Sequence, residues 1–225
     1  MRGKRFVLIA GLATAVLLAA CSKGTTSAGS TTGAPPTGDA AVLQAAANAA
    51  ASAKGITFKA SYSTSDSGSS AGPSSITVEQ KPPKSRFDAP GGSVISDGTK
   101  TEYCLPTNGV RACYSSPGVS PLASLAEIFS PTNATQFFQA AATALASAAA
   151  GESVTVTHES FAGQSATCAN VASSSGSGKY CVLSNGVLAQ VSDAGSAFSL
   201  TSYSASPPDG DFVLPAASPL PTSAG

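Results

Sequence analysis

Charge is what this chain has least of: charged residues make up 11% of its 225 positions, and tryptophan is absent. One histidine, His158, leaves none to spare for a Ser-His-Asp triad, and no H-E-x-x-H or glycine-rich phosphate loop occurs. Gly163-Gln164-Ser165-Ala166 begins like a nucleophile elbow, but Thr167 stands where the second glycine belongs and the surroundings read as a strand. No C-x-x-C is present and the cysteine spacings do not suit zinc. The chain therefore reads as a non-enzyme with no catalytic residue, metal or cofactor. Basic residues are also scarce: from Cys21 onward the 12 Lys and Arg, less Arg2, Lys4 and Arg5, face 12 acids, a formal net charge of about −3. Nucleic acid wants a basic face and is not an expected partner.

Long apolar runs are confined to the beginning. Arg2, Lys4 and Arg5 precede an apolar stretch, Phe6 to Ala20, that is shorter than the roughly 20 residues a spanning helix needs. Residues 1–20 read as a secretory signal peptide. Leu18-Ala19-Ala20-Cys21 resembles the bacterial lipobox. That resemblance implies cleavage before Cys21 and a diacylglyceryl group, of palmitate-type chains, on its thiol. Two or three acyl chains hold a protein stably at about 0.8 kcal/mol per buried CH2. The expected location is the extracytoplasmic face of the bacterial cell membrane, with the lipid on Cys21 as the membrane contact. The bias toward Ala, Gly, Pro and Thr suits a high-GC actinobacterium.

Residues 21–38 join the lipidated cysteine to "SKGTTSAGSTTGAPPTG", which has no apolar period and cannot offset its own ordering entropy. It reads as a flexible tether with a root-mean-square reach of roughly 20 to 25 Å. Residues 216–225 read as a loose tail. A single domain, 39–215, remains, long enough for one substantial core.

Within it lie Cys104, Cys113, Cys168 and Cys181. Export makes disulfides the default, and of three formal pairings locality favours Cys104 with Cys113 and Cys168 with Cys181. Asn108-Gly109 between the first two is a strong hairpin turn signal.

Helical and two-residue periods alternate along the domain. Asp39 as N-cap, "AAVLQAAANAAASAK" and the stop at Gly55 predict a first helix. In "ITFKASYST" Ile56, Phe58, Ala60 and Tyr62 share one face; Ile76 and Val78, and then Phe87, continue the alternation. Hairpins are predicted at Asp97-Gly98 and Asn185-Gly186. "PLASLAEIF" and "TNATQFFQAAATALASAAAG" predict two helices, and about five strands follow. "DGDFVLP" closes the domain, with Phe212 and Leu214 able to cap a core. The order reads as α+β: a curved antiparallel sheet of about 10–11 strands with helices packed on its concave side.

In this layout the chain resembles actinobacterial lipoproteins of the superfamily that holds the periplasmic carrier of outer-membrane lipoproteins and the mycobacterial lipid-carrier lipoproteins, the LolA-like half-barrels. The resemblance rests on Cys21, the tether, "ITFKASY", "VEQKPPKSRFD", "ISDGTKTEYC", the central helices, "SNGVLAQV", "FSLTSYS" and "DFVLP". It implies binding or carriage of a lipid or acylated ligand in an apolar cavity. Phe58, Tyr62, Ile76, Val78, Phe87, Val154, Val156 and Leu200 have the parity to line it, under alanine-rich helices that leave room. The alternation is equally compatible with a filled core. Lys81, Lys84 and Arg86 are candidate headgroup contacts at roughly 1 kcal/mol per charge. The alternative function is a non-enzymatic protein-binding, signalling or structural envelope lipoprotein with an envelope protein partner. A monomer is expected.

Overall fold

Alanine sets the character of the helices. Helix α1, Asp39–Ser52, buries Leu43, Ala46, Ala47 and Ala50. Side chains this small let it pack closely on α3, Pro131–Ser147, whose Ala134, Phe138 and Ala141 complete the same cluster. Asp39 is the first helical residue and Gly38 the cap, without a side-chain hydrogen bond; the carboxylate sits in the first turn, where the helix dipole favours it. The helix tightens into a 3-10 turn at Ala53–Gly55. Gln80 Nε2 donates to the carbonyls of Ala53 (2.7 Å) and Ile56 (2.8 Å), binding that end to the sheet.

The computed structural model describes residues 37–66, 74–107, 110–115, 122–147, 152–174, 176–193 and 196–216. The signal peptide, Cys21, the tether up to residue 36, the Asn108-Gly109 turn and residues 217–225 of the expected tail lie outside them.

Eleven antiparallel strands form one open sheet: β1 Phe58–Asp66, β2 Ser75–Lys81, β3 Lys84–Ala89, β4 Gly92–Ser96, β5 Thr101–Thr107, β6 Val110–Tyr114, β7 Ser153–Phe161, β8 Gln164–Ser173, β9 Gly176–Leu183, β10 Leu188–Ser192 and β11 Ser196–Ser204. Their spatial order is β6-β5-β4-β3-β2-β1-β11-β10-β9-β8-β7. The chain thus meanders outward from β1 to one edge and returns from the other edge to pair β11 with β1. The connection from β6 to β7 joins opposite edges, so it must cross a whole face. That connection is α2, Leu122–Ile128, followed by α3.

Parity sends Phe58, Tyr62, Ile76 and Phe87 to the helix-covered face, where they form one core cluster with Leu122 and Leu200. The second cluster lies under α1 and α3. The β9–β10 turn presses directly on α1: Gly186 has φ 83°, and a Cβ there would lie 2.0 Å from the Ala49 carbonyl oxygen. Only glycine meets both demands.

On the opposite face the C-terminal segment lies back across the sheet. Phe212 is buried, and Leu214 packs against Ile95, Cys104 and Cys113.

Candidate functional site: an aromatic nest on the concave face

The sequence around residues 128–131, Ile-Phe-Ser-Pro, breaks the helical connection. Pro131 is tolerated at the first turn of α3 but disfavours helix in the residue before it. Ser130 supplies the cap: its Oγ accepts the Asn133 amide at 3.2 Å. Asn133 Nδ2 in turn donates to the Glu127 carbonyl at 2.6 Å. Phe129 is therefore held at an elbow between two helices.

Its ring enters the middle of the concave face. The ring centroid lies 4.8 Å from that of Tyr62 on β1, 5.6 Å from Phe87 on β3 and 5.4 Å from Phe198 on β11. The interplanar angles, 50° to 75°, are tilted or edge-on, as aromatic quadrupoles prefer. Each such pair contributes about 0.5–1.5 kcal/mol beyond area burial. The nest's polar atoms are satisfied inwardly. Tyr62 Oη donates to the Leu188 carbonyl at 2.9 Å, and burial pushes its phenol well above the usual tyrosine range. Tyr180 Oη donates to the Ile128 carbonyl at 3.0 Å, tying β9 to the elbow, and burial raises it to about 12. Its ring stacks on Phe137 of α3, with centroids 4.7 Å apart.

The eight parity-chosen residues divide between two places. Phe58, Tyr62, Ile76, Phe87 and Leu200 are buried in the cluster that holds the nest, with Val78 partly buried against it. Val154 and Val156 instead pack under α1 and α3. They do not converge on one lining, because the alanine helices and Phe129 fill the face from opposite ends. Phe129, Phe198 and Tyr180 were not among the expected lining residues. The Phe-Ser-Pro break is the signal that marks Phe129; nothing in the local pattern pairs it with Phe87.

A second concavity, a groove of about 440 Å³, runs between α1 and α3, lined by Ala40, Gln44, Gln139, Ala142, Thr143 and Ala146. Its amides and hydroxyl suit polar contacts better than an acyl chain.

The candidate headgroup residues sit on or beside the opposite face. Lys81 pairs with Asp209. Arg86 binds Asp88 through both Nε (2.5 Å) and Nη2 (3.0 Å). Lys84 follows the cis Pro82–Pro83 peptide and has no ion-pair partner among the described residues. Two of the three cations are thus engaged within the protein.

Both disulfides join directly opposed residues of neighbouring strands: Cys104–Cys113 across β5–β6 and Cys168–Cys181 across β8–β9, with Cα atoms 3.9 and 4.0 Å apart. The Glu159 carboxylate lies beside the second bridge, where it pairs with Lys179 at 2.6 Å.

No family model and no curated protein matches the chain. Among solved structures, the MucA/MucB complex of Pseudomonas aeruginosa superposes with a TM-score of 0.50 at 14% identity, over 77% of this chain and 61% of that one. MucB alone gives 0.50 at 14% identity, over 81% and 65%. A LolA superfamily protein from Nitrosomonas europaea gives 0.34 at 10% identity, over 76% and 97%. The chain spans less than two thirds of the MucB chains it matches, and at these identities the likeness is one of fold.

Proposed function

We propose that this protein is an extracytoplasmic binding or carrier protein that takes a lipid or acylated ligand against the concave face of its sheet, held at the membrane by a lipid on Cys21. One observation carries the reading: the centre of that face is occupied by a single ring, Phe129, delivered by a helix elbow and meeting aromatics on three strands. Its neighbours offer ring faces and aliphatic carbon, the surface an acyl chain would also cover. Exchanging Phe129 for a chain swaps one apolar contact set for another, so burial gained and burial lost nearly cancel. The seven-residue α2 has little of its own to lose in moving. No nucleophile is required for such a task.

The test is native mass spectrometry with organic extraction of protein purified from a lipid-containing host. Near-stoichiometric acyl species support the reading, and Phe129→Ala should raise the occupancy. A bare mass that persists after incubation with envelope lipids would mean the nest is permanent core. Labelling with a palmitate analogue, lost in Cys21→Ala together with membrane fractionation, tests the anchor.

A second reading is a protein-binding module. The fold is shared with MucB, whose complex with MucA has been solved. A bare mass together with a co-purifying envelope protein would favour it.

A further inference from the structure

We infer that the C-terminal segment Asp209–Leu214 is a pH-set strap, clamped across the outer face of the sheet by a proton between Glu79 and Asp211, and released as that proton leaves. Strap contacts are of two kinds. Phe212 is buried and Leu214 covers Ile95 and the Cys104–Cys113 bridge, while the acids are met by cations of the sheet. Lys59 Nζ lies 2.9 Å from Glu79 Oε1 and 3.0 Å from Asp211 Oδ2. Arg86 Nη1 donates to the Asp211 carbonyl at 2.9 Å, and Lys81 pairs with Asp209.

Cations and acids balance around this clamp, with Arg111 adding a contact to Asp88 at 3.7 Å, but their hydrogen bonds are unevenly shared. Glu79 is faced by Lys59 from β1, Arg86 from β3 and Asp211 from the strap. Arg86 gives its side-chain bonds to Asp88 and reaches Glu79 and Asp211 through its charge, while Lys59 alone among the described residues forms ion pairs with both carboxylates. Glu79 Oε2 is buried with no hydrogen-bond partner. An ionised Glu79 would leave that oxygen desolvated and facing a like charge, which is costly. A proton on Oε2 relieves that contact and supplies a donor toward Asp211.

The titration directions agree with this geometry. Burial raises Glu79, outweighing Lys59, whereas the Lys59 ammonium holds Asp211 below the usual carboxylate range. A raised group favours the clamped state fully below its released-state value and loses that contribution as pH rises through its clamped value. A lowered group does the opposite, losing its contribution as pH falls through its depressed value. The strap is therefore tightest in mild acid, between the two values, and loosens toward neutral and alkaline pH. Release uncovers Ile95, the bridge and the row Lys59, Glu79, Arg86.

Hydrogen–deuterium exchange on the full chain tests this at the amides of Asp211 and Val213, which donate to the Pro208 and Gly210 carbonyls. After correction for intrinsic exchange, protection should fall as pH rises above the ordinary glutamate value of 4.5, tenfold for each unit by which clamping raises the proton's affinity. Glu79→Gln, whose amide donates permanently, should stay protected throughout. Asp211→Asn should flatten the profile as well, and serves if the first variant fails to fold. Protection that is flat in the wild type, or that falls equally in the wild type and the folded variants, overturns the inference.

Discussion

The rings of Phe129 and Tyr62, 67 residues apart in sequence, lie 4.8 Å apart at an interplanar angle of 58°. One comes from a break between two helices and the other from the central strand of the sheet. Their contact joins the crossover connection to the fold's middle, so α2 and α3 are positioned by packing rather than by propensity.

Phe129→Ala should cost at most about 3–5 kcal/mol in denaturant unfolding if the nest stays empty, since removing a partly buried ring loses part of the transfer energy of a core phenylalanine and leaves a cavity. Added acyl ligand should restore part of that loss in the variant. A cost below about 1 kcal/mol, with no response to ligand, would show that the ring contributes little to the core.

Reduction of both bridges should lower stability by about 2–5 kcal/mol for each, with the short sequence separations of 9 and 13 residues placing each at the lower end. Urea titrations with and without reductant, checked by thiol counting, measure this. An unchanged midpoint in fully reduced protein would show that the strand ladder holds these hairpins unaided.

Gly186→Ala should destabilise by more than the roughly 1 kcal/mol of an ordinary left-handed substitution, because the new Cβ would strike the Ala49 carbonyl as well. Gly163→Ala is the control: its φ is 75°, but no atom lies within 4 Å of the added carbon. Thermal melting of the pair separates backbone strain from collision.

Asp97 accepts the amides of Thr99 and Lys100 and the Thr99 hydroxyl, each at 2.8 Å, and these bonds lower its pKa to about 2. Because the folded value is depressed, its contribution is present above the unfolded carboxylate range and is lost as pH falls through about 2. Carboxyl-carbon NMR should show this midpoint. A titration near 3.8 would mean that the turn is not closed in solution.

Much of the architecture was legible before any coordinates. Alternation in "ITFKASY" put Phe58, Ala60 and Tyr62 on one buried face, and turn pairs such as Asp97-Gly98 set where strands end, because local backbone chemistry decides both. Parity could not say what lies opposite a face. It placed Val154 and Val156 with Phe58, although α1 and α3 claim them. Nor could it show that Lys81 and Arg86 turn to acids more than a hundred residues away or on the same strand.

By itself, then, the sequence determined the elements: alanine-rich helices, an eleven-strand alternation and cysteine pairs spaced for neighbouring strands, all fixed by interactions between residues close along the chain. The tertiary structure decided what fills the concave face, which acids the cations of the outer face meet, and where the C-terminal segment rests. Those outcomes depend on contacts between segments such as Phe129 and Tyr62, or Glu79 and Asp211, whose meeting is set by the crossover of β6 to β7 and the return of the chain past β11.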